Sequence, residues 1–130
     1  METEEAAIAA GVGAHVALPV PPSVNRCWRN VRGVGRVRTA RYRAWVDEAG
    51  WELLGQHPRA IPGPVAITIR AGRPQRRRDL DNVLKPLLDL LVATHVIQDD
   101  SFVVALSAAW DDAIASGRCT VTVESIGGAA

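Results

Sequence analysis

Ten consecutive residues, Arg76-Arg77-Arg78-Asp79-Leu80-Asp81-Asn82-Val83-Leu84-Lys85, set three bases, two carboxylates and the chain's single lysine side by side. Asp79 and Asp81 are two apart where a loop is expected to enter a helix, so their carboxylates can converge. Lys85, four residues after Asp81, falls on the same helical edge. Further on, Asp99-Asp100 precedes an expected strand and can return a third carboxylate to the cluster. Clustered carboxylates repel unless protonated or neutralised, and the usual neutraliser is a hard divalent cation with oxygen ligands. Mg2+ is the expected ion, with Mn2+ the alternative. Such an ion beside arginines and a lysine suits phosphodiester hydrolysis, because it activates water and offsets charge on the phosphoryl oxygens. Lys85 would stabilise the phosphorane or the leaving oxygen. The arginines would position phosphates without reading bases, which makes affinity salt-dependent.

Each part also has a simpler reading. Asp-x-Asp at a helix start is usually a cap aided by the helix dipole. A run of arginines is usually a solvated face, and Asp99-Asp100 is usually a turn before a strand. Asp89 either continues the polar edge of Lys85 or simply faces solvent. The case for chemistry rests on the parts occurring together.

The chain has 130 residues, 48% of them hydrophobic and 22% charged, which indicates one globular domain with a sizeable core. A domain of this length folds without a metal or disulfide staple, so a metal-binding pattern is read as functional first. The net charge of +1 conceals three blocks. Residues 1–25 hold three glutamates and no base, residues 26–78 hold thirteen arginines against three acids, and residues 79–130 hold eight acids against Lys85 and Arg118. A basic half is followed by an acidic half. Cys27 and Cys119 are too few for a four-thiolate zinc site, and no secretory signal is visible, so both are expected to be reduced and buried. With no apolar run of about 18 residues, no membrane span is expected and a cytoplasmic location is the default.

The cluster needs elements to hold it. Residues 1–13 read as an acidic tail and 14–130 as the domain. Ala14–Val20 is an expected strand stopped by Pro19, Pro21 and Pro22, and Ser23–Arg38 an irregular hairpin or loop around Gly33 and Gly35. Thr39 is placed to cap a helix over 40–54 with an apolar stripe of Tyr42, Trp45, Val46, Ala49 and Leu53, closed by Gly55. Val65–Arg70 alternates as a half-buried strand does, and Gly72–Arg78 is a basic loop. A second helix is expected from Asp81 to His95, with Leu80, Leu84, Leu87, Leu88 and Leu91 on one face and Pro86 about one turn in. Phe102–Trp110 and Arg118–Glu124 complete a set of strands. The pattern predicts an α+β fold, a two-layer mixed β-sheet with helices packed on one face.

The stretch Arg77 to Lys85 resembles the signature of RusA-type Holliday junction resolvases, with Asp99-Asp100 at the family's distance. Pro21-Pro22-Ser23-Val24-Asn25-Arg26-Cys27-Trp28 is similar to the family's opening motif, so the likeness spans residues 16–124. It implies a homodimeric, Mg2+-dependent endodeoxyribonuclease that cuts four-way DNA junctions by paired symmetric nicks, leaving 5′-phosphate and 3′-hydroxyl ends. It puts Asp79, Asp81 and Asp100 at the acidic metal-site positions, Lys85 at the catalytic lysine and Arg78 at a basic position beside them. The spacing from Asp79 favours Asp100 over Asp99 as the ligand. Asn82 and Asp99 are expected to orient the ligating carboxylates. Arg76, Arg77 and Arg78, with Asn25 and Arg26, are the expected DNA contacts; Asn25 otherwise braces the site or satisfies its own turn. Two equivalent sites suit a two-fold symmetric junction, hence an isologous dimer. The expected setting is the bacterial cytoplasm, whether the chain is cellular or phage-encoded.

Overall fold

A computed structural model describes residues 13–23, 26–74 and 78–126. The acidic stretch 1–12, Asn25, Arg76 and Arg77 lie outside these residues. Four strands form one sheet: β1 (Gly13–Pro19), β4 (Val65–Ala71), β5 (Val103–Trp110) and β6 (Arg118–Ser125), in the spatial order β1-β6-β4-β5. β6 runs antiparallel to both neighbours, while β4 and β5 are parallel. Parallel neighbours cannot be joined by a tight turn. The connection from β4 to β5 therefore crosses over through a helix, and that crossover carries the acidic motif.

Alternation along the strands sets the two faces. Val65, Ile67, Ile69 and Ala71 of β4, Cys119, Val121 and Val123 of β6, and Ala14, Val16 and Leu18 of β1 are buried beneath the helices. Helix α1 (Ala40–Gly55) opens at Thr39, whose hydroxyl accepts the Tyr42 N–H at 3.1 Å, as a Thr cap should. It buries Tyr42, Trp45, Ala49 and Leu53, with Val46 packed at the margin. Gly55 is the last helical residue rather than a left-handed stop, and the exit turn instead uses His57 at φ 52°. Next to it, the Gln56 amide closes on the backbone of Ala17, accepting its N–H at 2.8 Å and donating to its carbonyl at 2.7 Å. That clamp fixes the end of α1 to the outer edge of β1. A two-pronged Arg118–Glu52 pair at 2.8 and 3.2 Å ties α1 to β6.

The second helix departs from its expected span. Leu80–Val83 is a 3₁₀ turn, and the α-helix proper, α2, is Leu84–Ala93. The late start accommodates Pro86, which becomes the third α-helical residue. Its missing N–H thus falls in the first turn, where no acceptor waits. The tighter 3₁₀ turn also rotates the apolar face. Val83, Leu87, Leu90 and Leu91 are buried, while Leu80, Leu84 and Leu88 pack at the margin of the core.

The segment expected to be irregular between 23 and 38 is a regular hairpin, β2 (Trp28–Val31) and β3 (Gly35–Arg38), forming its own two-stranded sheet. Gly33 at φ 79° and Gly35 at φ 98° supply the left-handed backbone of its turn. Cys27 and Cys119 are buried and unbridged, and burial pushes the Cys119 thiol up to about 11, so it stays protonated at neutral pH. No helix among the described residues is long and apolar enough to cross a membrane.

Candidate active site

The crossover from β4 to β5 carries Asp79, Asp81, Lys85 and Asp100 and brings Lys85 and Asp100 together near the start of α2. Val83, fully buried, pins the Leu80–Val83 turn to the core. That turn packs against β5, and α2 packs against a second 3₁₀ turn, Asp100–Phe102, just before β5. Asp79 stands in extended conformation at the entrance to the first turn, and its carboxylate makes no capping hydrogen bond. Among the described residues only its backbone carbonyl is used, accepting the Asn82 N–H at 3.2 Å. The ordinary explanation of an Asp in this position, a cap, therefore does not apply. Asp81 is exposed within the same turn, and Asn82 is half-buried.

Lys85, in the first turn of α2, joins two carboxylates. Its Nζ lies 3.0 Å from Asp89 Oδ1 one turn along and 3.4 Å from Asp100 Oδ2 across the chain. The hydrogen bond and charge of Asp89, and then those of Asp100, hold the ammonium charged above its ordinary value. The side chain remains 64% exposed, so this is a charge presented to solvent. Asp89, readable in the sequence either as polar edge or as bystander, is the nearer partner. The adjacent aspartates divide their work. Asp99 caps the Asp100–Phe102 turn by accepting the Ser101 N–H at 3.0 Å, which lowers its pKa, whereas Asp100 faces Lys85.

Arg78 is half-buried, with Nε and Nη2 shielded from solvent and without a hydrogen-bond partner among the described residues. Burial lowers its pKa, with the neighbouring Cys27 acting in the opposite direction. An arginine held this way is costly to the fold. Arg26 is exposed, and its carbonyl accepts the Thr39 hydroxyl at 2.6 Å.

Among the described residues, no three Asp, Glu, His or Cys side chains are gathered closely enough to hold a metal ion by themselves. Asp79, Asp81 and Asp100 are separate exposed carboxylates, and the Lys85 ammonium is the cation beside Asp100. The donor set still suits Mg2+, which keeps several waters and is commonly bound through one or two carboxylates plus substrate phosphates rather than a closed protein cage.

Sequence reasoning left out the arginines of the hairpin. Arg36 lies over the Trp28 ring at 4.9 Å from its centroid, and Arg38 lies 5.9 Å from Trp28 and 5.3 Å from Tyr42. Arginine alternating with small and apolar residues over 29–38 is visible in the sequence, but the stacking depends on Tyr42 arriving from α1.

Residues 19–124 match the sequence profile of the family described as endodeoxyribonuclease RusA. The chain is 33% identical over 115 residues to a crossover junction endodeoxyribonuclease of Enterobacteria phage 82, covering 87% of this chain and 95% of that one. It is 32% identical over 114 residues to the crossover junction endodeoxyribonuclease RusA of Escherichia coli K12, covering 86% and 94%. The protein of the same description from Shigella sonnei is likewise 32% identical over 114 residues. With the profile spanning most of the domain and the relatives matched nearly end to end, the chain belongs to the RusA family of endodeoxyribonucleases, hydrolases of DNA phosphodiester bonds.

Proposed function

We propose that the protein is a Mg2+-dependent, structure-specific endodeoxyribonuclease that resolves four-way DNA junctions by paired symmetric cleavage, leaving 5′-phosphate and 3′-hydroxyl ends. The observation that carries this reading is Lys85, a solvent-facing ammonium held by Asp89 and Asp100 and following closely in the chain on Asp79, which the fold does not use as a cap, and the exposed Asp81. The names of relatives matched over nearly their full length support the junction as substrate.

In this reading Asp79, Asp81 and Asp100 hold the ion, whose contribution is to activate water and offset phosphoryl charge. The chain's own groups do the rest. Water oxygen bonds to phosphorus and the bond from phosphorus to the 3′ oxygen breaks, so the phosphate stays on the 5′ end. Because its two carboxylates keep Lys85 protonated, it acts as a positive hydrogen-bond donor to the phosphorane or the departing oxygen and not as a base. Asn82 and Asp99 steady the neighbouring carboxylates. Arg26, with Asn25, Arg76 and Arg77, lies along the DNA, whereas Arg78, expected from the sequence to do the same, has Nε and Nη2 shielded from solvent and offers a phosphate only the rest of its guanidinium.

Symmetric nicks call for two equivalent sites, and thus a homodimer. A second copy has a place to bind, since β5 is an edge strand without a charged residue from Val103 to Trp110, and Val104 and Leu106 on it are exposed. Edge strands left bare in this way are open to pairing with another chain. The endonuclease domain is the 14–130 stretch marked out by the sequence, extended by Gly13 as the first residue of β1, and its setting is the bacterial cytoplasm.

The deciding experiment incubates end-labelled four-way junctions with and without Mg2+ and maps nicks on all four strands, with forked, linear and RNA substrates in parallel. Paired nicks at symmetric positions, dependent on Mg2+ and confined to the four-way substrate, are expected. Asymmetric nicks, equal cutting of forks or RNA, or metal-independent binding without cleavage would each reject the proposal.

A further inference from the structure

From Arg26 to Val46 the chain carries seven arginines and no acid. Arg29, Arg32, Arg36 and Arg38 lie on the hairpin, all exposed, and among the described residues none of them has a carboxylate within ion-pair distance. Outside the hairpin Arg118 pairs with Glu52, Arg73 with Asp112 and Lys85 with Asp89 and Asp100, while Arg41, Arg43, Arg59 and Arg70 are likewise without an ion pair among the described residues; what sets the hairpin apart is four such arginines on one small sheet and its turn. Like charges crowded on a small two-stranded sheet repel, so their lack of compensation needs a reason.

The hairpin holds these charges in place without neutralising them. Trp28 pairs with Arg38 and Asn30 with Arg36 on one face, and Arg36 and Arg38 lie over the Trp28 ring. Stacking of a guanidinium on an aromatic face leaves its N–H edges free for an anion. Trp28 rests edge-on against Tyr42, at 5.7 Å between centroids, so the platform is fixed to α1. At its base the hairpin is closed by Thr39, which donates its N–H to the Cys27 carbonyl at 2.9 Å and its hydroxyl to the Arg26 carbonyl at 2.6 Å. The base is within electrostatic reach of the candidate site: after burial, Arg78 acts next on the Cys27 thiol and Asp89 next on the Tyr42 hydroxyl.

We infer that the β2–β3 hairpin is a second phosphate-binding element, an arm that lays Arg29, Arg32, Arg36 and Arg38 along the sugar–phosphate backbone of DNA leading away from the cleaved bond. A strand of four residues extends about 13 Å, and one DNA strand carries a charge about every 3.4 Å of helix axis. The arm is thus long enough to meet several phosphates, with Arg36 and Arg38 on the face of Trp28, Arg29 on the opposite face and Arg32 at the turn. The inference rests on DNA being the substrate, and its test is separable from that of the catalytic reading.

Binding of labelled four-way junction is measured in EDTA between 50 and 200 mM salt, for the unaltered protein, for Arg29→Gln/Arg32→Gln/Arg36→Gln and for the corresponding triple lysine variant. Thermal melting of all three verifies folding. The glutamine triple should lower the slope of log affinity against log salt by about 2–3 and weaken binding at least about tenfold at the lowest salt, and the lysine triple should restore the slope. An unchanged slope, a weaker affinity with the same slope, or no recovery with lysine overturns the arm. Cleavage by the unaltered protein in Mg2+ is scored separately. A reduced slope in a protein that never cuts junctions would sustain the arm and sink the catalytic reading.

Discussion

The segment from Asp79 to Phe102 and the hairpin from Trp28 to Arg38 are both exposed and highly charged, yet the fold holds them in opposite ways. The first is seated on the core through Val83, Leu87 and Leu91, and four of its charged groups are engaged at short range, Lys85 with Asp89 and Asp100, Asp99 with the Ser101 amide, while the Asp79 and Asp81 carboxylates stand exposed on that seat. The second forms a separate sheet, touches the core chiefly through Trp28, and leaves its arginines without carboxylate partners among the described residues. Chemistry on a phosphate needs groups held to fractions of an ångström, which a packed seat and compensated charge provide. Attraction of a polyanion needs uncompensated charge and tolerates loose placement. The division fits a protein that grips DNA with one part and cuts it with another.

Several substitutions test that division. The largest effect is expected from Asp81→Asn, which should abolish junction cleavage in Mg2+ while leaving binding and its salt slope intact; nicking at the unaltered rate would remove Asp81 from the site, and an altered slope would blur the boundary between the two regions. Next is Lys85→Gln, expected to slow single-turnover cleavage about 10²–10³-fold with binding retained, the usual cost of losing one donor to a developing charge. A purely structural Lys85 would instead show up in the melting temperature and spare the rate.

The seat itself is probed by Leu87→Ala, which should lower stability by about 2–5 kcal/mol in a denaturant titration. By contrast Val34→Ser, at the hairpin tip and 71% exposed, should stay within about 0.5 kcal/mol. If the two cost the same, the hairpin is more tightly coupled to the core than its contacts indicate. Between these lies Asp99→Ala, which removes a turn cap and should lower the melting temperature slightly while cleavage persists. Should Asp99→Ala stop cleavage and Asp100→Asn spare it, the roles assigned to the neighbouring aspartates are reversed.

Much of the fold is legible in the sequence itself. Alternation over Val65–Arg70 and Arg118–Glu124 and the stripe from Tyr42 to Leu53 are local patterns, and local patterns report directly on which side chains must leave water. The second helix is legible in its existence but not its start, because the choice between 3₁₀ and α over Leu80–Val83 depends on accommodating Pro86 and on Val83 finding the core. The hairpin is legible only as Gly and Arg content, since its strands have no apolar face to show alternation. Asp99 and Asp100 can be separated by spacing, but their different partners, Ser101 N–H and Lys85, appear only when the turn is folded.

Acting alone, the sequence determined the α+β composition, the order of elements, the segregation of basic from acidic charge and the family to which the Asp79–Lys85 motif belongs. These depend on residue types and short spacings, which the chain carries in any conformation. Tertiary structure decided what lies across a distance in sequence: Lys85 against Asp100, fifteen residues on, Trp28 against Tyr42, and β5 as an uncovered edge beside its parallel neighbour β4. Such contacts exist only once packing has offset the entropy of closing the loops between them, and spacing along the chain carries no record of that balance.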